Sequence, residues 1–278
     1  MKWTPGYSSS DVEDRRGAGG GRMGLGRPLS LTGVLVLGAL SLVFGRNFFS
    51  LVDGSTVDEP AAPTAAASGP DEQVEFVSFV LDDVQNTWEA LFSEQNQPYT
   101  RAKLVLFTDA VRSGCGTGEA AMGPFYCPAD QKAYIDLGFY RELKNRFGAP
   151  GDFAQAYVLA HEIGHHVQHL LGLDRRVNAA RQGNSSSANR LQIALELQAD
   201  CLAGVWAHST QQRSLLEAGD VDEALAAAAS VGDDRIQKSA TGRVNPETWT
   251  HGSSEQRASW FRRGFQAGTL RACDTLSP

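Results

Sequence analysis

The 278 residues include four cysteines but no C-x-x-C pair, which excludes a cysteine-based structural metal cluster. No internal repeat of convincing period is present, and no low-complexity tract follows residue 73, so the main body is not a repeat array or a disordered tail. Positive charge is scarce. Twenty-five Lys and Arg face 32 Asp and Glu, for a net charge of −7, and residues 1–46 hold six of the basic residues against three acidic ones. The remainder therefore carries about −10 and lacks the basic patches that phosphate binding needs, which excludes nucleic acid as a partner. Two segments lack something more specific. Leu29 to Gly45 has no charged residue, and residues 53–72 have no bulky apolar residue beyond Val57.

The uncharged run LSLTGVLVLGALSLVFG resumes after Arg46 with NFFSLV, so residues 29–52 are long enough to cross a ~30 Å hydrocarbon layer as a tilted helix, with Arg46 snorkelling. Arg15, Arg16, Arg22 and Arg27 precede the run and acidic residues follow it. The positive-inside rule then predicts a single-pass anchor with residues 1–28 in the cytoplasm and the rest of the chain outside. A cleaved signal peptide would have the same orientation, but no small-x-small site closes the run. The Ala-, Pro- and acid-rich residues 53–72 read as a flexible linker, and the folded domain is expected over residues 73–278.

All four cysteines fall in this outer part, and an even count in an oxidising compartment predicts two disulfides. Three connectivities are possible. Cys115 with Cys127 is favoured because their twelve-residue separation encloses a Gly- and Pro-containing, hairpin-like stretch, which leaves Cys201 with Cys273.

With 42% hydrophobic and 21% charged residues, the composition is globular, and the length allows one sizeable core or two modest ones. Val77, Val80, Leu81, Val84, Trp88 and Leu91 recur at helical spacing. RAKLVLF (101–107) and KAYIDLGFY (132–140) read as strands. A helix is predicted over 153–171, stopped by Gly172, then a polar loop RRVNAARQGNSSS and a further helix over 188–207. After the Ala-rich segment 221–230, Ser253 and Gln256 form a capping-box pattern at the head of a last helix. The order predicts an α+β fold, mostly helical with a small sheet.

Within AYVLAHEIGHHVQHLLGL, His161 and His165 lie four apart and so share one helix face, where both imidazoles can bind one tetrahedral metal ion. Glu162 then sits beside the ion and can take a proton from a metal-activated water. The stretch before the motif is apolar, so unpaired His and Glu there would be costly. Downstream, LELQADCLAG places Glu196 and Asp200 on one face of a second helix: Glu196 as third ligand, Asp200 as acceptor of a ligand histidine's free N–H. Gly164, a poor helix residue, predicts close packing there, for which the second helix is a candidate partner. The longer pattern H-E-x-x-H-x-x-G-x-x-H fails, because Gln168 and Leu171 occupy its Gly and third His places. His166 and His169 are left as exposed helix residues or cleft neighbours.

These segments, together with VEDRRG, CGTGEAAMGPFYCPADQKAYIDLGF and THGSSEQRASWF in the same order, resemble the neutral zinc metallopeptidase family of bacterial membrane-anchored proteins. The resemblance implies a zincin-like fold, one Zn2+ on His161, His165 and Glu196, Glu162 as catalytic base, and a peptide or protein substrate that it does not specify. Tyr134, Tyr140 and His251 are candidates for contacting the transition state or substrate, and the strand at Tyr134 to Leu137 for pairing with an extended substrate. Two other readings stay open: an amidase on a non-protein cell-envelope substrate, and a scaffold whose zinc serves only stability. A structural site needs no base, and Glu162 speaks for catalysis.

Overall fold

The run Lys103-Leu-Val-Leu-Phe107 is apolar at every position after the lysine, the pattern of a strand covered on both faces. In the computed structural model, which describes residues 1–16, 71–119, 123–145, 149, 151–183 and 188–276, it forms β2. The elements in chain order are β1 (Val12–Asp14), α1 (Glu72–Glu94), β2 (Lys103–Phe107), β3 (Ala110–Ser113), β4 (Gly116–Glu119), β5 (Phe125–Cys127) and β6 (Lys132–Asp136). There follow α2 (Gly138–Asn145), α3 (Asp152–Leu170), α4 (Leu173–Gly183), α5 (Ala188–Gln212), α6 (Asp220–Ser230), α7 (Asp233–Thr241) and α8 (Ser254–Ala267). The fold is α+β and mostly helical.

The sheet runs β1-β2-β6-β5, with β1, β2 and β6 parallel and β5 antiparallel to β6. Alternation along β2 sends Leu104 and Leu106 to the main core and Val105 and Phe107 to a smaller one with Val111 and Tyr134. The main core lies between the sheet, α1, α3 and α5, where Phe153 stacks on Trp206 at 5.3 Å.

Helix ends follow local chemistry. Asp71 caps α1 by accepting from the Gln73 and Val74 N–H groups, and the Ser253–Gln256 capping box opens α8 as expected. Gly172, at φ +72°, takes the left-handed turn that ends α3. Both disulfides, Cys115–Cys127 and Cys201–Cys273, form as expected.

Four expectations are corrected. The strand expected over 132–140 stops at Asp136, whose carboxylate accepts from the Gly138 N–H at 2.7 Å and turns the chain into α2. The polar loop after Leu171 is largely helix α4; Val177 is its buried apolar side chain, so no stripe marks it in the sequence. The second helix runs on to Gln212. Most consequential, the fold does not begin near Gln73, because residues 1–16 belong to the same compact unit as the domain and supply β1. That segment is mostly polar and docks by backbone pairing, ion pairs and isolated aromatic contacts, which no hydrophobic periodicity reveals. Among the described residues no helix is long and apolar enough to cross a membrane, and the expected span, 29–52, lies outside them, as does the linker up to residue 70.

Helices α5 and α8 cross at two glycines. A Cβ on Gly204 would lie 2.1 Å from the Phe261 carbonyl oxygen, and one on Gly264 1.9 Å from that of Cys201. Backbone cannot yield as a side-chain tip can, so Gly264→Ala is expected to destabilise by about 3 kcal/mol, a fall of roughly 10 °C in the midpoint of thermal unfolding.

Candidate metal centre

Helix α3 carries the H-E-x-x-H segment in a buried setting, and its neighbour α5 lies close because Gly164 has no side chain. A Cβ there would meet the Ala199 oxygen at 3.1 Å and the Ala199 Cα at 3.2 Å, the close packing that Gly164 predicted. This approach brings Glu196 under the two histidines. His161 Nε2 is 3.4 Å from Glu196 Oε2, and His165 Nε2 is 3.8 Å from Glu196 Oε1. One donor atom from each residue lies within 4.8 Å of the others. Two imidazole nitrogens and a carboxylate oxygen so spaced suit one ion with bonds of about 2.0–2.2 Å, and this donor set suits zinc with a position left open.

The other ring nitrogen of each histidine is engaged. His161 Nδ1–H donates to Asp200 Oδ1 at 2.9 Å, the contact expected of Asp200, and turns Nε2 toward Glu196. His165 Nδ1–H donates to Gln168 Oε1 at 2.9 Å, while the Gln168 amide donates to the Leu195 carbonyl at 2.7 Å. Gln168 thus spoils the longer histidine pattern and at the same time orients the second ligand. The sequence reading missed this role, which its spacing of three from His165 could have signalled.

Arg257 of α8 was missed as well. It is buried, donates to Asp200 through Nε at 2.8 Å and Nη2 at 2.9 Å, and reaches the Val231 carbonyl through Nη1 at 3.2 Å. The Tyr157 hydroxyl donates to the same Asp200 oxygen that holds His161. The one available signal was an arginine inside THGSSEQRASWF, without an indication of its partner.

Electrostatics separate the two glutamates. Burial raises the Glu162 carboxyl above its ordinary value, against the pull of His161 and His165. Burial would raise Glu196 too, but His165 and His161 outweigh it and hold this carboxyl well below the usual range. For His161 burial acts downward, yet Asp200 and Glu196 prevail and push it up to about 9.

These groups form the floor of a cavity of about 840 Å³. Phe125 and Tyr126 of β5 line one wall, Arg235 and Ile236 of α7 another, and His251 also faces it. His251 Nδ1 is 3.1 Å from Asp233 Oδ1, a hydrogen bond that raises the imidazole's pKa. Tyr134 and Tyr140 do not line the cavity. The Tyr134 hydroxyl donates to Asp130 at 2.6 Å, and Tyr140 is buried, its hydroxyl without a partner among the described residues. The spare histidines are also placed. His166 is fully buried, donating from Nε2 to the Thr100 carbonyl at 2.6 Å and accepting from the Tyr126 hydroxyl, and burial lowers its pKa to about 4. It is neither exposed nor in the cleft. His169 pairs with Asp174, a cavity-lining residue.

A metal ion bound to His161 would have to displace the proton that Asp200 and Glu196 stabilise there. Apparent affinity for Zn2+, measured by chelator competition on metal-free protein, is expected to rise about tenfold per pH unit from neutrality to about pH 9 and then level off. Asp200→Asn is expected to weaken metal binding about 10–100-fold in the same assay.

The family model described as "Putative neutral zinc metallopeptidase" matches residues 1–276. The chain is 44% identical over 283 residues to "Uncharacterized protein YpfJ" of Escherichia coli (strain K12), covering 99% of each. It is 47% identical over 203 residues to "Uncharacterized protein Rv2575" of Mycobacterium tuberculosis (strain ATCC 25618 / H37Rv), covering 69% of this chain and 68% of that one. No solved structure matches. With a model match over nearly its whole length, the chain belongs to the putative neutral zinc metallopeptidase family.

Proposed function

We propose that the protein hydrolyses peptide bonds, with His161, His165 and Glu196 holding one Zn2+ and Glu162 acting as general base. What carries this reading is the convergence of three donor atoms on the floor of a cavity that a buried Glu162 also lines. A bound zinc ion would polarise the scissile carbonyl and acidify water at the site. Glu162 then takes the proton of the attacking water and hands it to the leaving amine, and its raised pKa suits a group that must both accept and release a proton. Asp200 and Gln168 hold the two imidazoles in the tautomer that presents Nε2. His251 is the donor best placed by cavity position for the developing oxyanion, in preference to Tyr134 and Tyr140.

The strand available for pairing with an extended substrate is β5 rather than β6. β6 already has β2 on one side and β5 on the other, whereas β5 is an edge whose residues line the cavity. Attachment to a membrane by the apolar run 29–52 is part of the same proposal.

Cleavage of a mixed peptide library by purified full-length protein tests this reading. Glu162→Gln is expected to lower kcat about 10²–10⁴-fold with metal content unchanged. Equal cleavage by both proteins would remove Glu162 as the base. No cleavage by metal-loaded wild type would favour the scaffold or the non-protein amidase.

A second test concerns His251, which acts as a donor in its protonated form. His251→Gln is expected to lower kcat about 10²-fold with little change in KM. Asp233 raises the His251 pKa, so Asp233→Asn lowers it and should move the alkaline limb of the kcat profile to lower pH. An unmoved limb would remove His251 from this role.

A further inference from the structure

Residues 1–16 are joined to the domain along their whole length. β1 pairs with β2 in parallel register, Val12 with Leu104 and Asp14 with Leu106, flanked by bonds from Leu104 N to Asp11 O and from Arg15 N to Leu106 O, both 2.8 Å. Lys2 N donates to Leu215 O at 2.8 Å, Gly6 N to Glu75 at 2.7 Å, and the Met1 side chain is buried. Ion pairs continue the seam: Asp11 with Arg101 and Lys103 at 2.7 Å each, Glu13 with Lys132 at 2.6 Å, and Arg16 with Asp71 at 2.6 Å. Trp3 packs edge-on against Phe76, and Tyr7 against Phe79.

A backbone hydrogen bond spans about 3 Å, whereas a membrane's hydrocarbon core is about 30 Å thick. Two strands paired in one sheet therefore share one aqueous compartment. The compartment is an oxidising one, because Cys115–Cys127 and Cys201–Cys273 are both bonded. We infer that residues 1–16 and residues 71–276 stand together on the non-cytoplasmic side of the membrane, so that the run 29–52 cannot act as a single crossing between them. The positive-inside expectation placed them apart, but its count treats as free two arginines that the fold pairs. Of the four arginines before the run, Arg15 pairs with Glu13, and Arg16 with Asp14 and Asp71, inside the fold. Their charge is neutralised locally and is not free to hold the N-terminal segment in the cytoplasm.

This inference rests on the membrane attachment proposed above but not on the chemistry, and its test reads sidedness alone. Single cysteines are introduced in the full chain at two exposed positions, Ser8→Cys in the N-terminal segment and Ser93→Cys near the end of α1. Intact cells expressing each variant are treated with a membrane-impermeant maleimide, before and after permeabilisation. Both positions are expected to label to the same extent without permeabilisation. Labelling of Ser93→Cys alone would overturn the inference in favour of a single crossing, and protection of both would overturn the assigned side. Peptide cleavage by wild type is untouched by any of these outcomes, so the sidedness and the peptidase reading fail separately.

Discussion

Everything at the metal centre depends on how closely α3 approaches α5. His161 and His165 sit on one helix and Glu196 on another, and their donor atoms fall within bonding reach of one ion because nothing but a hydrogen stands on Gly164 opposite Ala199. The same device recurs where α5 meets α8, at Gly204 and Gly264. The second crossing brings Arg257 beside Asp200. Two glycine contacts thus order three helices, each sacrificing roughly 1 kcal/mol of helix propensity relative to alanine: at Gly164 a Cβ would be tight, and at Gly204 and Gly264 it would overlap backbone.

That packing gathers charges in a place where unpaired charges would be costly. Arg257 answers Asp200 with two hydrogen bonds, yet Asp200 still accepts from His161 and Tyr157, since its two oxygens have lone pairs enough for all of them. The glutamates divide by environment. Glu196 faces both imidazoles and stays ionised, fit to bind a cation, while for Glu162 burial outweighs the same imidazoles and leaves a carboxyl that can carry a proton. Two like side chains on one floor acquire different chemistry from their neighbours.

The sheet links this centre to the N-terminal segment. β1 and β5 form its two edges, and it is β5 that lines the cavity and is tied by Cys127 to Cys115 beyond it. A segment that looks dispensable by its distance in sequence thus supplies one edge of the sheet whose other edge lines the cavity.

Much of the centre was legible because helical spacing is a local property. The four-residue steps from His161 to His165 and from Glu196 to Asp200 fix which side chains share a face, whatever the rest of the chain does. The capping box at Ser253, the stop at Gly172 and the short Cys115–Cys127 loop were legible for the same reason. Elements without an apolar stripe were not: α4 has too few buried residues to mark it, and β6 ends on a carboxylate contact at Asp136 that periodicity cannot register. Arg257 lies 57 residues from Asp200, and β1 docks by backbone pairing and an ion pair to residues far along the chain. Which residues could bind a metal was therefore written in the sequence, through periodicity along single helices. Which groups orient them, and where the first sixteen residues belong, was decided by tertiary packing, because charge pairs between distant segments leave no periodic trace.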